Sequence, residues 1–122
     1  MKSTFLILAF CLFSYVGVAQ DADAIIGVWE PSNGKVKVKI DKIGDKYYGK
    51  IVWLREPKDP NTGKAKTDIN NPDESMQDVP LRGYRMLKDF VYVGDNTWEE
   101  GTIYDPQNGK TYSCVITLKD EN

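Results

Sequence analysis

The chain has no histidine and only two cysteines among its 122 residues, and these absences remove whole classes of chemistry. Without histidine, the commonest general base near neutral pH is missing, and so is the commonest metal ligand. No Cys-His or Ser-His-Asp nucleophile can be assembled, and two sulfurs alone cannot build a structural zinc site. Paired carboxylates remain, but Glu99 and Glu100 are neighbours on an expected strand and fall on opposite faces. The sequence therefore implies no enzyme of these kinds and no cofactor. A strong excess of one charge is also lacking. Sixteen basic residues face 18 acidic ones, with the signs interleaved, which argues against a nucleic-acid partner or an anionic membrane surface.

Long apolar runs are absent except at the amino end. Lys2 precedes an apolar stretch over residues 5–13, and Gly17-Val18-Ala19 then supplies small residues. That pattern reads as a signal peptide over residues 1–19, cleaved between Ala19 and Gln20. The run is shorter than the roughly 20 residues that cross a bilayer, so the expected product is exported, periplasmic or extracellular, with no membrane span after processing. Cys11 leaves with the signal, so Cys114 cannot form an internal disulfide and is expected as a small buried core residue. Residues 20–122 then form one modest domain.

What is present reads as strand. Residues 35–41 alternate strictly, with Val36, Val38 and Ile40 on one face and lysines on the other. Gly44-Asp45-Lys46 turns the chain, and residues 47–54 return it. Residues 81–93 offer one bent strand or two short ones, and residues 97–104 and 110–118 a final hairpin. The fold class is all-β, an antiparallel meander. Residues 55–80 form one long loop rich in Pro, Asn and Asp, with Ile69 and Met76 expected to pin it down. A short echo relates Asp59-Pro60-Asn61-Thr62-Gly63-Lys64 to Asp105-Pro106-Gln107-Asn108-Gly109-Lys110. In each copy Asp opens a turn and Gly takes the positive φ that closes it. Within the loop, Asp68, Asn70, Asn71 and Asp73 are oxygen ligands of the kind calcium accepts. The same residues also serve as turn caps.

The segments GVW (27–29), GDKYYGKIVWLREPKDPNTGKAKTDINNPD (44–73), VPLRGYRML (79–87) and GTIYDPQNGKTYS (101–113) together resemble the bacterial family DUF2147. The resemblance implies a secreted or periplasmic protein with a calycin-type, lipocalin-like β-barrel. It carries over no catalytic residues, because the family has no established activity. It also implies that Trp29 of the Gly27-x-Trp29 element plugs one barrel end. Family members often carry Cys where this chain has Tyr48 and Arg82, so a bridge there is absent. The chain stops at Asp120-Glu121-Asn122, where relatives continue through a further hairpin. The expectation is a truncated sequence with a barrel incomplete at its carboxyl end, or else a barrel completed by another chain. Its unpaired edge would invite self-association.

Alternation also suggests a binding site. Arg85 shares a face with Leu81, Gly83 and Leu87, and Glu100 shares one with Trp98, Thr102 and Tyr104. If these faces line the barrel, Arg85 meets the acidic head of an amphiphile while Trp53, Trp98 and Tyr104 surround its tail. The bland alternative is that Arg85 faces solvent or pairs with Glu100, and that Trp29 and Trp53 are plain core. Two functions follow. One is an exported barrel that binds a small amphiphilic or apolar ligand. The other is a non-catalytic envelope module that makes contacts through the 55–80 loop.

Overall fold

The computed structural model describes residues 4–8 and 21–120. The expected cleavage site and most of the expected signal peptide lie outside them. Seven strands form one antiparallel sheet: β1 (Thr4–Leu8), β2 (Gly27–Trp29), β3 (Val36–Ile43), β4 (Lys46–Leu54), β5 (Arg85–Gly94), β6 (Thr97–Asp105) and β7 (Lys110–Asp120). Their order across the sheet is β1-β7-β6-β5-β4-β3-β2. From β2 to β7 this is the expected meander, each strand paired with the next in sequence. β1 and β2 lie at opposite ends, so the sheet is not closed. The edge of β7 carries β1, with Thr4 opposite Asp120 and Leu8 opposite Ile116.

The alternation of β3 places Val38 and Ile40 in the core with Tyr47, Leu87, Phe90, Trp98, Cys114, Ile116 and Leu118. Two short 3-10 turns, Ala22–Ile25 and Glu74–Met76, are the helical elements among the described residues. The first closes one end of the core. Ile25 is fully buried, and Trp98 donates its indole N–H to the Ala22 carbonyl, 3.0 Å away. Trp29, half-buried, donates to the carbonyl of Ile25 at 2.7 Å and packs against the same end. Tyr47 from β4 reaches the turn as well, donating to Asp23, which also pairs with Lys42 at 3.6 Å.

Close packing inside depends on missing side chains. A Cβ on Gly101 would lie 2.4 Å from the ring of Phe90, and one on Gly49 would lie 2.8 Å from Leu87. Glycine in these strands marks a place where a neighbouring side chain occupies the space of its own.

Of the register shifts in the sheet, one leaves Val52 extra on β4 beside Trp53, and three more on β5 and β6 decide how Arg85 and Glu100 face. On β5, Lys50 pairs with Arg85 but Gly49 pairs with Leu87, which leaves Met86 as an extra residue. Tyr47 pairs with Phe90, so a second extra residue falls near Asp89, whose φ is 65°. On β6, Trp98 pairs with Ile116 while Gly101 pairs with Cys114, and Glu100 has φ 67°. Each inserted residue reverses the alternation beyond it.

Candidate functional site

The bulges correct the expected ligand set. Arg85 does not share the interior with Leu87. The extra Met86 turns it outward, where it is exposed with its guanidinium 5.0 Å from the centre of the Tyr48 ring. Glu100 does not share the face of Trp98 either. It is exposed beside an equally exposed Glu99, so these two carboxylates do not fall on opposite faces as strict alternation requires. Trp53 is 40% exposed, with Lys37 over its ring, so it is not core. Trp98 is fully buried at the closed end, against Tyr47 and Tyr92. Of the five expected residues, Tyr104 lines a cavity at the other end of the sheet.

That cavity occupies the opposite, open end of the sheet and has a volume of about 290 Å³. Its walls are the inward side chains of four consecutive strands: Val38, Ile51, Leu87 and Ile103. Polar groups stand at the rim, Asn33 and Lys35 before β3, and Asp105 and Gln107 at the β6–β7 turn. A second cleft of about 370 Å³ adjoins it, sharing Lys35, Val36, Pro106 and Gln107, and the long loop borders its other side through Pro60, Lys66 and Ile69.

The rim cations differ in what they are free to do. Arg55 donates to the carbonyls of Asn33 at 2.8 Å and Gly34 at 3.3 Å, which fixes the chain entering β3. Lys66 pairs with Glu56 at 3.7 Å. Lys35 borders both spaces, is exposed, and has no ion-pair partner among the described residues. Sequence reading missed it. Its signal was its place as the first lysine of the alternating series, where the strand emerges from the interior.

A buried polar cluster holds the loop beside these spaces. Asp68 is fully buried. Its Oδ1 accepts from the Tyr104 hydroxyl at 2.7 Å and its Oδ2 from the Asn71 amide at 2.8 Å. Tyr84 stacks on Tyr104 with ring centres 5.3 Å apart. Burial, and then the neighbouring Asp68, push both tyrosine hydroxyls above their ordinary range. Asn70 donates to the carbonyls of Pro106 at 2.9 Å and Gln107 at 3.1 Å. The loop backbone lies so close to Gly109 that a Cβ there would sit 2.0 Å from the Asn70 carbonyl oxygen.

The residues weighed for calcium are thus engaged by the protein itself. Asn71 Oδ1 accepts from the Asp73 amide, and Asp73 Oδ1 caps Ser75. Among the described residues no group of three or more acidic or sulfur ligands could hold a metal ion. The apolar loop residues play no pinning part, since Ile69 is 60% and Met76 38% exposed. The echoed turns match in structure as in sequence. Gly63 and Gly109 donate to the carbonyls of Asp59 and Asp105 at 2.7 and 2.8 Å, with φ of 71° and 72°.

Comparison with known proteins bears on this arrangement. The profile of a family described as an uncharacterized protein conserved in bacteria (DUF2147) matches residues 27–122. A solved structure, protein HP1028 from the human pathogen Helicobacter pylori, described as belonging to the lipocalin family, is similar with a TM-score of 0.58 and 26% identity. The similarity covers 73% of this chain and 60% of that one, so the chain spans about 60% of that protein's length. No curated protein matches. The fold is lipocalin-like, with a sheet that stays open.

Proposed function

The chain belongs to DUF2147, a family of uncharacterized bacterial proteins, and from that premise we propose that it is an exported protein binding a small amphiphilic molecule. The apolar part enters the open end of the sheet between Val38, Ile51, Leu87 and Ile103. An acidic head stays at the rim against Lys35. The observation that carries this reading is the cavity itself: apolar walls from four strands under a rim with one unengaged cation. Sites of this kind are concave and mostly apolar, with few polar groups that fix orientation, and small β-barrels of lipocalin type have room for one such ligand. Export rests on the charged start, apolar run and small residues before Gln20. When residues 1–19 are removed, β1 goes with them, and self-association at the β7 edge becomes part of the same reading.

The test is a titration with an anionic naphthalene-sulfonate fluorophore, which combines an apolar ring system with an acidic group. Saturable uptake by the native chain is expected. Ile103→Trp should abolish it by filling the cavity, and Lys35→Glu should weaken it about tenfold through loss of one charge-assisted contact of about 1.5 kcal/mol. Unchanged uptake in both variants would remove the proposed site.

A second reading, a contact module that uses the long loop, is favoured by the exposure of Ile69 and Met76. In that case Ile69→Ser alters partner capture and leaves fluorophore uptake intact.

A further inference from the structure

The interleaved signs of charge argued against an anionic surface as partner, but the sheet lines up three cations across neighbouring strands of its outer face, with Asp41 and Asp89 beside them at Tyr48. Residues directly opposite one another on adjacent strands share a face, and Val28 of β2 faces Lys39 of β3, Lys39 faces Lys50 of β4, and Lys50 faces Arg85 of β5. Three cations therefore stand in one cross-strand row on the side of the sheet away from the core, all of them exposed. Like charges directly opposite one another destabilise a sheet. None of these three cations has an ion-pair partner among the described residues. Aromatic rings accompany the cations instead. Lys37 lies 5.0 Å from the centre of its cross-strand partner Trp53, and Arg85 lies 5.0 Å from Tyr48. Apolar side chains are exposed on the same side, Val28 by 57% and Trp53 by 40%.

We propose that this face of β2–β5 docks on an anionic phospholipid bilayer surface. Basic side chains beside exposed aromatic and aliphatic groups are the composition of surfaces that rest in the headgroup region, where the rings sit at the polar boundary and the cations meet lipid phosphates. A soluble polyanion fits less well. The chain as a whole carries a net charge of −2, which repels a polyelectrolyte free to sample every side. A planar surface meets the cation row, and few of the acids elsewhere on the protein, within a screening length of about 10 Å. The proposal does not rest on the amphiphile reading, since the row lies on the other side of the sheet from the cavity.

Flotation of the full chain with vesicles tests it, using phosphatidylcholine alone or mixed with phosphatidylglycerol. Association is expected to be at least about tenfold stronger with the anionic vesicles and to disappear at high salt. Lys50→Glu should reduce association about tenfold or more. The same change places opposite charges between Lys39 and Arg85, so its melting temperature should stay level or rise, which separates lost binding from lost folding. Lys64→Glu, an equal charge change on the long loop, should leave association intact. Equal association with neutral and anionic vesicles would overturn the proposal. So would an equal loss in both variants, or binding of soluble polyphosphate as tight as that of the anionic vesicles.

Discussion

The Tyr104 hydroxyl donates to the buried Oδ1 of Asp68, 2.7 Å away, and joins the sixth strand to the middle of the long loop. Removing this donor leaves a fully buried carboxyl short of one partner. Tyr104→Phe should therefore destabilise the protein by about 1–3 kcal/mol. Urea unfolding measures it as a lower midpoint at unchanged slope. A loss within error would mean that the Asn71 amide alone satisfies Asp68.

Alkaline titration should distinguish the tyrosines. Burial first, then a hydrogen-bonded aspartate, raises the hydroxyls of Tyr47 and Tyr104 well above their ordinary value. A raised value in the folded state means that the folded protein holds the proton more tightly than the unfolded chain does. Their contribution to stability is thus complete below about pH 10 and is lost as pH rises beyond it. Phenolate absorbance should show Tyr47 and Tyr104 ionising only together with unfolding.

At the acid end the sign reverses. The hydrogen bond from Tyr47 lowers the Asp23 carboxyl most, with the charge of Lys42 adding to it. The stability it contributes is present above its unfolded value of 3.8 and is lost as pH falls through the lower folded one. Asp23→Asn should remove part of the acid dependence of the melting temperature and, because Asp23 also helps hold the Tyr47 proton, shift the alkaline loss as well.

Gly101→Ala tests the closed end of the core. The added carbon would meet the Phe90 ring at 2.4 Å, and overpacking of this kind destabilises by about 1–3 kcal/mol. Thermal unfolding reads it directly, and Gly101→Ala combined with Phe90→Leu should recover part of the loss.

The parts of the fold written in local pattern were legible. Strict alternation in residues 35–41 and the Asp-Pro-x-x-Gly turns need only neighbouring residues, and both are found as expected. The bulges at Met86, Asp89 and Glu100 were not legible, because no glycine stands at these positions to mark the inserted residue. Each shifts the inward set by one, so Arg85 and Glu100 were assigned to the wrong face while Tyr104 still reached the cavity. The pairing of Asp68 with Tyr104 spans 36 residues. An aspartate in a turn-rich loop carries no local sign that it will be buried.

The most direct test of ligand binding is a map of backbone amide shifts as a single-chain anionic amphiphile is titrated below its micelle concentration. The account predicts saturable shifts concentrated at Lys35, Val38, Ile51, Leu87, Ile103 and Gln107, the walls and rim of the cavity. Shifts confined to Ile69 and Met76 on the loop, or to Lys39, Lys50 and Arg85 on the outer face, would contradict it.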